Sequence, residues 1–294
     1  MTDYDLIFIG HMCYDEIVPF KGETRVAPGS AVLCGAMAAA RVGKKVAVVA
    51  KLSPADESIL EPMREAGIDV FLVPAKETTY SKVVHPSADV DVRQIFALKN
   101  AGYFELPEIP AWPAAAVHLA GITDQEFHLE FMRGLKAKGY NLSVDMQSFV
   151  RQVDPVSREV FFRDVPRKRE IVQLMNKVKL DVVEAEELTG TRDLAQAAQI
   201  IEAWGSPEVV ITRADGVLAR RDGTNWFCPF TNKSTIGRIG RGDTTFGAYL
   251  AWRLEHDVAE SLRFASALVS VKMETPGPFS GTLDDVLARM TLLQ

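Results

Sequence analysis

The sequence predicts a three-layer α/β protein: a central, mostly parallel sheet with helices on both faces, and a small β lid. Three observations carry this. Short apolar runs alternate with helical patterns along most of the 294 residues, and continuous β-branched runs between helices mark strands buried on both faces. Two stretches break that rhythm with alternating polar and apolar residues and no helix between their strands. Finally, a glycine-rich turn, Gly240-Arg241-Gly242, runs into Asp243 at the start of an apolar-periodic segment, the pattern of an anion site at a helix N-terminus.

In chain order, Leu6-Ile7-Phe8-Ile9 is a buried strand, residues 31–42 a helix rich in small side chains, and Val46-Ala47-Val48-Val49-Ala50 a second strand. A helix is expected over 54–66, with Ser53 as cap and Pro54 in its first turn. Strands follow at 70–73, 116–119, 142–144, 181–183 and 209–212, with a helix over 125–137 between the second and third of these. Two helices, 243–255 and 257–273, complete the series. The β-rich stretches 15–27 and 78–99 read as a small projecting sheet or as extra edge strands of the main one, which periodicity does not separate. No repeat, low-complexity segment or linker interrupts the chain, so residues 1–294 read as one domain with a lid.

Composition excludes several function classes. The chain is 47% hydrophobic and 24% charged with a net charge of −6, so it lacks the basic excess that nucleic-acid binding draws on. The basic segment 163–179 is interrupted by Asp164 and Glu170 and reads as a solvated helix face. Cys13, Cys34 and Cys228 form no metal-binding or disulfide pattern. The start of the chain is acidic, and no apolar run approaches the ~20 residues of a membrane span. A cytoplasmic protein is expected, with neither nucleic acid nor membrane as partner.

Ligands of open α/β sheets bind beyond the carboxyl ends of the strands. Asp15 follows the first strand, Asp145 ends the strand 142–144, Glu184 follows Asp181, and Thr212-Arg213 follow 209–211. Each reads singly as a cap or surface charge; their shared position makes a site. Asp243 itself reads either as a helix cap or as a catalytic acid group.

These residues resemble the ribokinase (PfkB) family of carbohydrate and nucleoside kinases over nearly the whole chain. Gly240-Arg241-Gly242-Asp243 resembles the family's Gly-Ala-Gly-Asp. Pro28-Gly29-Ser30 through Arg41-Val42-Gly43 resembles its amino-terminal signature, and Asp181-Val182-Val183-Glu184 its Asn-x-x-Glu. The resemblance implies the ribokinase-like fold and phosphoryl transfer from ATP with Mg²⁺. Asp243 would be the base, and the amides of Gly240, Arg241 and Gly242 an anion hole. Glu184 would organise Mg²⁺ through water, Asp181, Thr212 and Arg213 would line the nucleotide phosphates, and Gly277 would lie near adenine. Asp15, Gly29 and Ser30 fall where the family binds the acceptor, Cys34 takes the place of a family residue that grips it, and Arg93 and Asp145 are expected to face the same site. The acceptor would be a sugar, a polyol such as inositol, or a nucleoside, and the lid would close over it and support a homodimer.

The departures are informative. The family's substrate-gripping asparagine is Cys34, which makes the acceptor site less polar than a ribose site. The asparagine of Asn-x-x-Glu is Asp181, and Arg241 stands inside the anion turn. Gly237-Arg238 replaces an Asp-Thr that helps bind an activating monovalent cation, so Arg238 is expected to supply a fixed charge and no monovalent cation to be required. A dinucleotide oxidoreductase is disfavoured, since no G-x-G-x-x-G follows the first strand. The rival of another class is a non-catalytic sugar or nucleotide sensor on the same scaffold.

Overall fold

The computed structural model describes residues 3–87 and 93–293. Its strands are β1 (Tyr4–His11), β2 (Cys13–Val18), β3 (Arg25–Gly29), β4 (Val46–Leu52), β5 (Asp69–Pro74), β6 (Thr79–Val84), β7 (Gln94–Lys99) and β8 (Ala114–Leu119). Then come β9 (Leu142–Asp145), β10 (Arg151–Val153), β11 (Val160–Phe162), β12 (Lys177–Asp181), β13 (Glu208–Thr212), β14 (Gly216–Arg221) and β15 (Thr224–Pro229).

Nine strands form the main sheet in the order β15-β14-β13-β12-β9-β8-β1-β4-β5. Seven of them, β5 to β13, run parallel, while β14 and β15 add an antiparallel edge. Successive strand residues face opposite sides, and β1 supplies both halves of the core. Leu6 and Phe8 pack with Phe246, Phe264 and Leu268 from helices Arg241–Trp252 and Val258–Lys272. Ile7 and Ile9 pack with Phe131, Leu135, Ile171 and Ile201 on the other face. Helix Ala31–Arg41 lies against Arg241–Trp252 so closely that a side chain at Gly247 would collide with the Gly35 carbonyl. That contact needs glycine, and it brings the helix carrying Asp243 over the end of β1.

The alternating stretches form a separate four-stranded sheet, ordered β3-β2-β6-β7, and not further edge strands of the main one. Strand β1 continues through buried Met12 directly into β2, so this sheet hangs from the carboxyl edge of the main sheet. The hairpin β10–β11 braces it: the Ala97 amide donates to the Arg158 carbonyl at 2.9 Å, and Ala97, Val153 and Val160 pack together. Residues 88–92, inside the expected lid segment, lie outside the described residues. Among the described residues no helix is long and apolar enough to cross a membrane.

Four expectations need correction. Residues 54–66 are not one α-helix but a 3-10 segment, Pro54–Leu60, followed by a short helix, Glu61–Glu65. Asp56 is drawn out of helical geometry towards the Thr78 hydroxyl at 2.5 Å, and Pro62 has no N–H to continue the ladder. The helix expected from residue 125 begins at Leu129, capped by His128, because buried Glu126 gathers the amides of His11, Ile122 and Thr123 into a turn. Residues 182–183 belong to helix Val182–Thr189 and not to a strand, since Asp181 and Glu184 cap each other's backbone there. Segment 163–179 is only partly a solvated helix: its end is β12, where Lys179 is buried.

His118 on β8 lies between the rings of Phe8 and Phe246, at 5.6 and 5.0 Å, with Nδ1 3.1 Å from the Ser143 hydroxyl. Burial pulls its pKa down to about 3, with Ser143 opposing and Lys179 assisting. A histidine whose folded pKa lies below its unfolded value loses stability as pH falls through the unfolded value towards the folded one. Between pH 7 and 5 this residue should therefore cost about 2 kcal/mol of unfolding free energy. Urea unfolding at the two pH values is expected to show a smaller drop in His118→Gln; equal drops would remove His118 as the source.

Candidate active site

Four parallel strands deliver side chains to one edge. Asp145 ends β9, Asp181 ends β12 with Lys179 two residues before it, Thr212 ends β13, and Asp15 stands just beyond β1 in β2. Over them sits the start of helix Arg241–Trp252. Its cap, Gly240, is left-handed at φ 75°, and Cys34 Sγ lies where its side chain would be. Only glycine makes this turn here without both strain and collision.

Asp243 occupies the first turn. Its carboxylate Oδ1 accepts from Gln147 Nε2 at 3.4 Å, and the same Nε2 donates to the Gly121 carbonyl at 2.8 Å. The amides of Gly242 and Asp243 precede the first regular helical bond, from Thr244 N to the Gly240 carbonyl, and are placed to receive an anion. Arg241 does not supply the expected third amide: its N–H donates to the Arg238 carbonyl at 3.1 Å, closing the turn that leads into the helix. The Arg241 charge instead acts on Asp215, beside Arg213.

Beneath the turn lies a charged layer. Lys179 Nζ donates to Asp145 Oδ2 at 2.7 Å, with both side chains buried, and sits directly under Gly242. Burial pushes the Asp145 carboxyl upward, reinforced by Glu184 and Asp243 and opposed by the Lys179 ammonium. Burial also works against the Lys179 ammonium, but Asp145, Glu184, Asp243 and Asp181 outweigh it and raise its pKa. A proton transferred from Lys179 to Asp145 would contradict that second shift. The 2.7 Å contact of a lysine surrounded by carboxylates supports the ion pair.

Arg151 NH2 donates to Glu184 Oε1 at 3.2 Å, while Glu184 Oε2 accepts the Asp181 amide at 2.8 Å. Glu184 is fully buried and both its oxygens are engaged. Asp181 Oδ1 caps the helix through Val183 N and Glu184 N. This donor set fits Mg²⁺ only at one remove, through water, because no group of three ligating side chains converges among the described residues.

On the acceptor side, Asp15 faces the Gly29 backbone, and Cys13 Sγ donates to Asp15 Oδ1 at 3.5 Å. Burial raises the Asp15 pKa, with Asp243 adding and Cys13 and Arg151 opposing. Ser30 turns away from this space: its hydroxyl caps helix Ala31–Arg41 through Leu33 N at 3.0 Å and lies against Met12. Cys34 is a buried packing group; its thiol is pushed up to about 12 by burial, then by Asp243, with Lys272 opposing.

The structure thus gathers Asp15, Gly29, Cys34, Asp145, Asp181, Glu184, Thr212, Gly240, Gly242 and Asp243 at one strand edge. Arg213 stands at the rim, half-buried and paired with Asp215 at 2.6 Å. Gly277, at φ 89°, lies in the turn after helix Val258–Lys272, with open space around it. Arg93 heads β7 and lines a groove of about 310 Å³ with Phe161, Asp181 and Val183. Sequence reading missed Gln147, Arg151, Lys179 and Lys272. The one available signal was a lysine inside an apolar run, at Lys179 and again at Lys272.

A helix-borne carboxylate beside free first-turn amides, with cations beneath, is an arrangement for moving a phosphoryl group. Residues 2–284 match the pattern of the pfkB family carbohydrate kinases. The chain belongs to the pfkB family. Its relatives include the cytidine kinase of Thermococcus kodakarensis (strain ATCC BAA-918 / JCM 12380 / KOD1), 28% identical over 84% of this chain and 87% of the relative. Two similar solved structures are of a pyrophosphate-dependent kinase in the ribokinase family. One is a sulfate complex, with TM-score 0.89, 31% identity and coverage of 96% and 99% of the two chains. The other holds a pyrophosphate analogue and myo-inositol, with TM-score 0.87, 29% identity and the same coverage. This pfkB protein is therefore a kinase of the ribokinase fold.

Proposed function

We propose that this pfkB protein transfers a phosphoryl group from a magnesium-bound polyphosphate to a hydroxyl of a small polyol, with inositol the leading acceptor. The observation that supports it most is the placement of Asp243: one turn after left-handed Gly240, facing Asp15 across the strand edge and held by Gln147. In this reading Asp243 takes the proton of the attacking hydroxyl as the oxygen forms its bond to phosphorus. The amides of Gly242 and Asp243 receive the transferring phosphoryl oxygens, and Lys179 and Arg151 offset the donor's charge from below. Magnesium would enter with the donor and be held through water by Asp181 and Glu184, supplying further charge neutralisation. The β2–β3–β6–β7 sheet would close over the acceptor as a lid.

Two donors are supported by specific features. Pyrophosphate is favoured by the likeness to pyrophosphate-dependent enzymes and by the cluster of fixed cations, Arg151, Lys179 and Arg241, near the turn. ATP, the donor implied by the family resemblance, is favoured by Gly277, which leaves open space beyond the turn for a base. Turnover should be measured with Mg-pyrophosphate and with Mg-ATP across inositol, sugars and nucleosides. Phosphorylated inositol formed at least tenfold faster from pyrophosphate is the expected result. Faster product from ATP, or from a nucleoside, would replace that donor or acceptor. Binding without turnover above Asp243→Asn would establish the sensor reading.

A further inference from the structure

Lys272, the last residue of helix Val258–Lys272, is 1% exposed. Buried ammonium groups ordinarily have a carboxylate partner. Its hydrogen-bond partners among the described residues are two main-chain carbonyls, those of Gly237 and Ile239. These carbonyls flank Arg238 in the segment leading into Gly240, and Nζ lies 4.0 Å from where a Gly240 side chain would begin. The surroundings are closed. The Gly237 amide donates to the Met273 carbonyl at 2.9 Å, and the Thr275 and Lys272 carbonyls leave no room for a side chain at Gly237. A cation caged by main-chain carbonyls is how proteins hold potassium, and an ammonium is nearly the same size.

The consequence for the turn follows from peptide geometry. In a trans peptide the C=O and the next N–H point in opposite directions. An Ile239 carbonyl directed inward at Lys272 therefore directs the Gly240 N–H outward, towards the space in front of Gly242 and Asp243. Likewise, the inward Gly237 carbonyl sends the Arg238 N–H to the Thr235 carbonyl at 3.1 Å, which completes the approach to the turn. Lys272 thus places a cation beneath this segment, in the neighbourhood where the sequence had pointed to the charge of Arg238.

We propose that the Lys272 ammonium is a built-in replacement for a monovalent cation, a positioning residue that aims the Gly240 amide at the donor and makes the protein indifferent to added alkali ions. The proposal rests on the kinase reading for its kinetic arm only. Wild-type turnover is expected to agree within about twofold in potassium, ammonium and tetramethylammonium chloride at equal ionic strength. In Lys272→Ala, tetramethylammonium should leave turnover reduced on the order of 10²-fold, as for loss of an oxyanion donor, with a raised KM for the donor. Ammonium or potassium should restore at least tenfold of it. Independently of activity, thermal unfolding of Lys272→Ala should shift upward by on the order of 2 °C in potassium or ammonium relative to tetramethylammonium, with no such shift in wild type.

Several-fold stimulation of the wild type by potassium would overturn the proposal, and so would a folded Lys272→Ala that ignores all small cations in both measurements. If Lys272→Ala does not fold, Lys272→Met is measured, and a donor KM equal to that of wild type overturns it. If the wild type turns over no substrate, the kinase reading has failed. Stabilisation by pyrophosphate in wild type but not in Lys272→Ala would then still support the positioning role, and its equal presence in both would not.

Discussion

Asp243→Asn should lower turnover by about 10³-fold, within the range ascribed to a positioned general base, while leaving the protein folded. Asparagine has the same shape, its oxygen can still accept from Gln147 Nε2, and the residue remains in the first turn of the helix. What is lost is the ability to take the acceptor's proton. The substitution also removes one negative charge from a region where Asp15 and Asp145 are both disfavoured in their ionised forms by Asp243. Its thermal midpoint should therefore equal or exceed that of wild type. The acceptor KM should change by less than turnover, since a base acts in the transition state. Turnover above a tenth of the wild-type value, with product confirmed chemically, would exclude Asp243 as the base.

The anion turn and the strand-end carboxylates were legible because their determinants are local. A left-handed glycine, a capping acid and a run of β-branched residues each act within a few positions of themselves. The same locality explains the misreading of residues 182–183. Their composition favours a strand, but the mutual cap of Asp181 and Glu184 starts a helix there, and the cap prevails. The charged layer under the turn was not legible. Lys179 reaches Asp145 from 34 residues away, Arg151 reaches Glu184 from 33, and Lys272 reaches Gly237 from 35. No period in the sequence reports such pairs. The separate sheet was half legible: alternation marked its strands, whereas its detachment from the main sheet depends on β2 pairing with β6, more than sixty residues on.

Lys179→Met should lower stability by about 3–5 kcal/mol, because it leaves the buried Asp145 carboxylate without its cation. The loss should depend on pH. Burial, Glu184 and Asp243 already push the Asp145 carboxyl upward, and Lys179 alone among the named neighbours opposes them. Without Lys179 the carboxyl takes a proton in the folded protein at pH values where the unfolded chain has released it. A carboxyl whose folded pKa lies above its unfolded value contributes stability at low pH that is lost as pH rises towards the folded pKa. The gap between Lys179→Met and wild type in urea unfolding should accordingly widen from pH 5 to pH 8. Adding Asp145→Asn removes the charge and should close most of that gap, since replacing both partners of a buried pair is far milder than removing one. The double variant also separates structure from chemistry. If Lys179 only holds Asp145, the restored fold regains donor affinity. If Lys179 also offsets donor charge under Gly242, the donor KM stays raised in a protein of near wild-type stability. The second outcome is expected, because the ammonium lies against Gly242 in the turn that faces the donor.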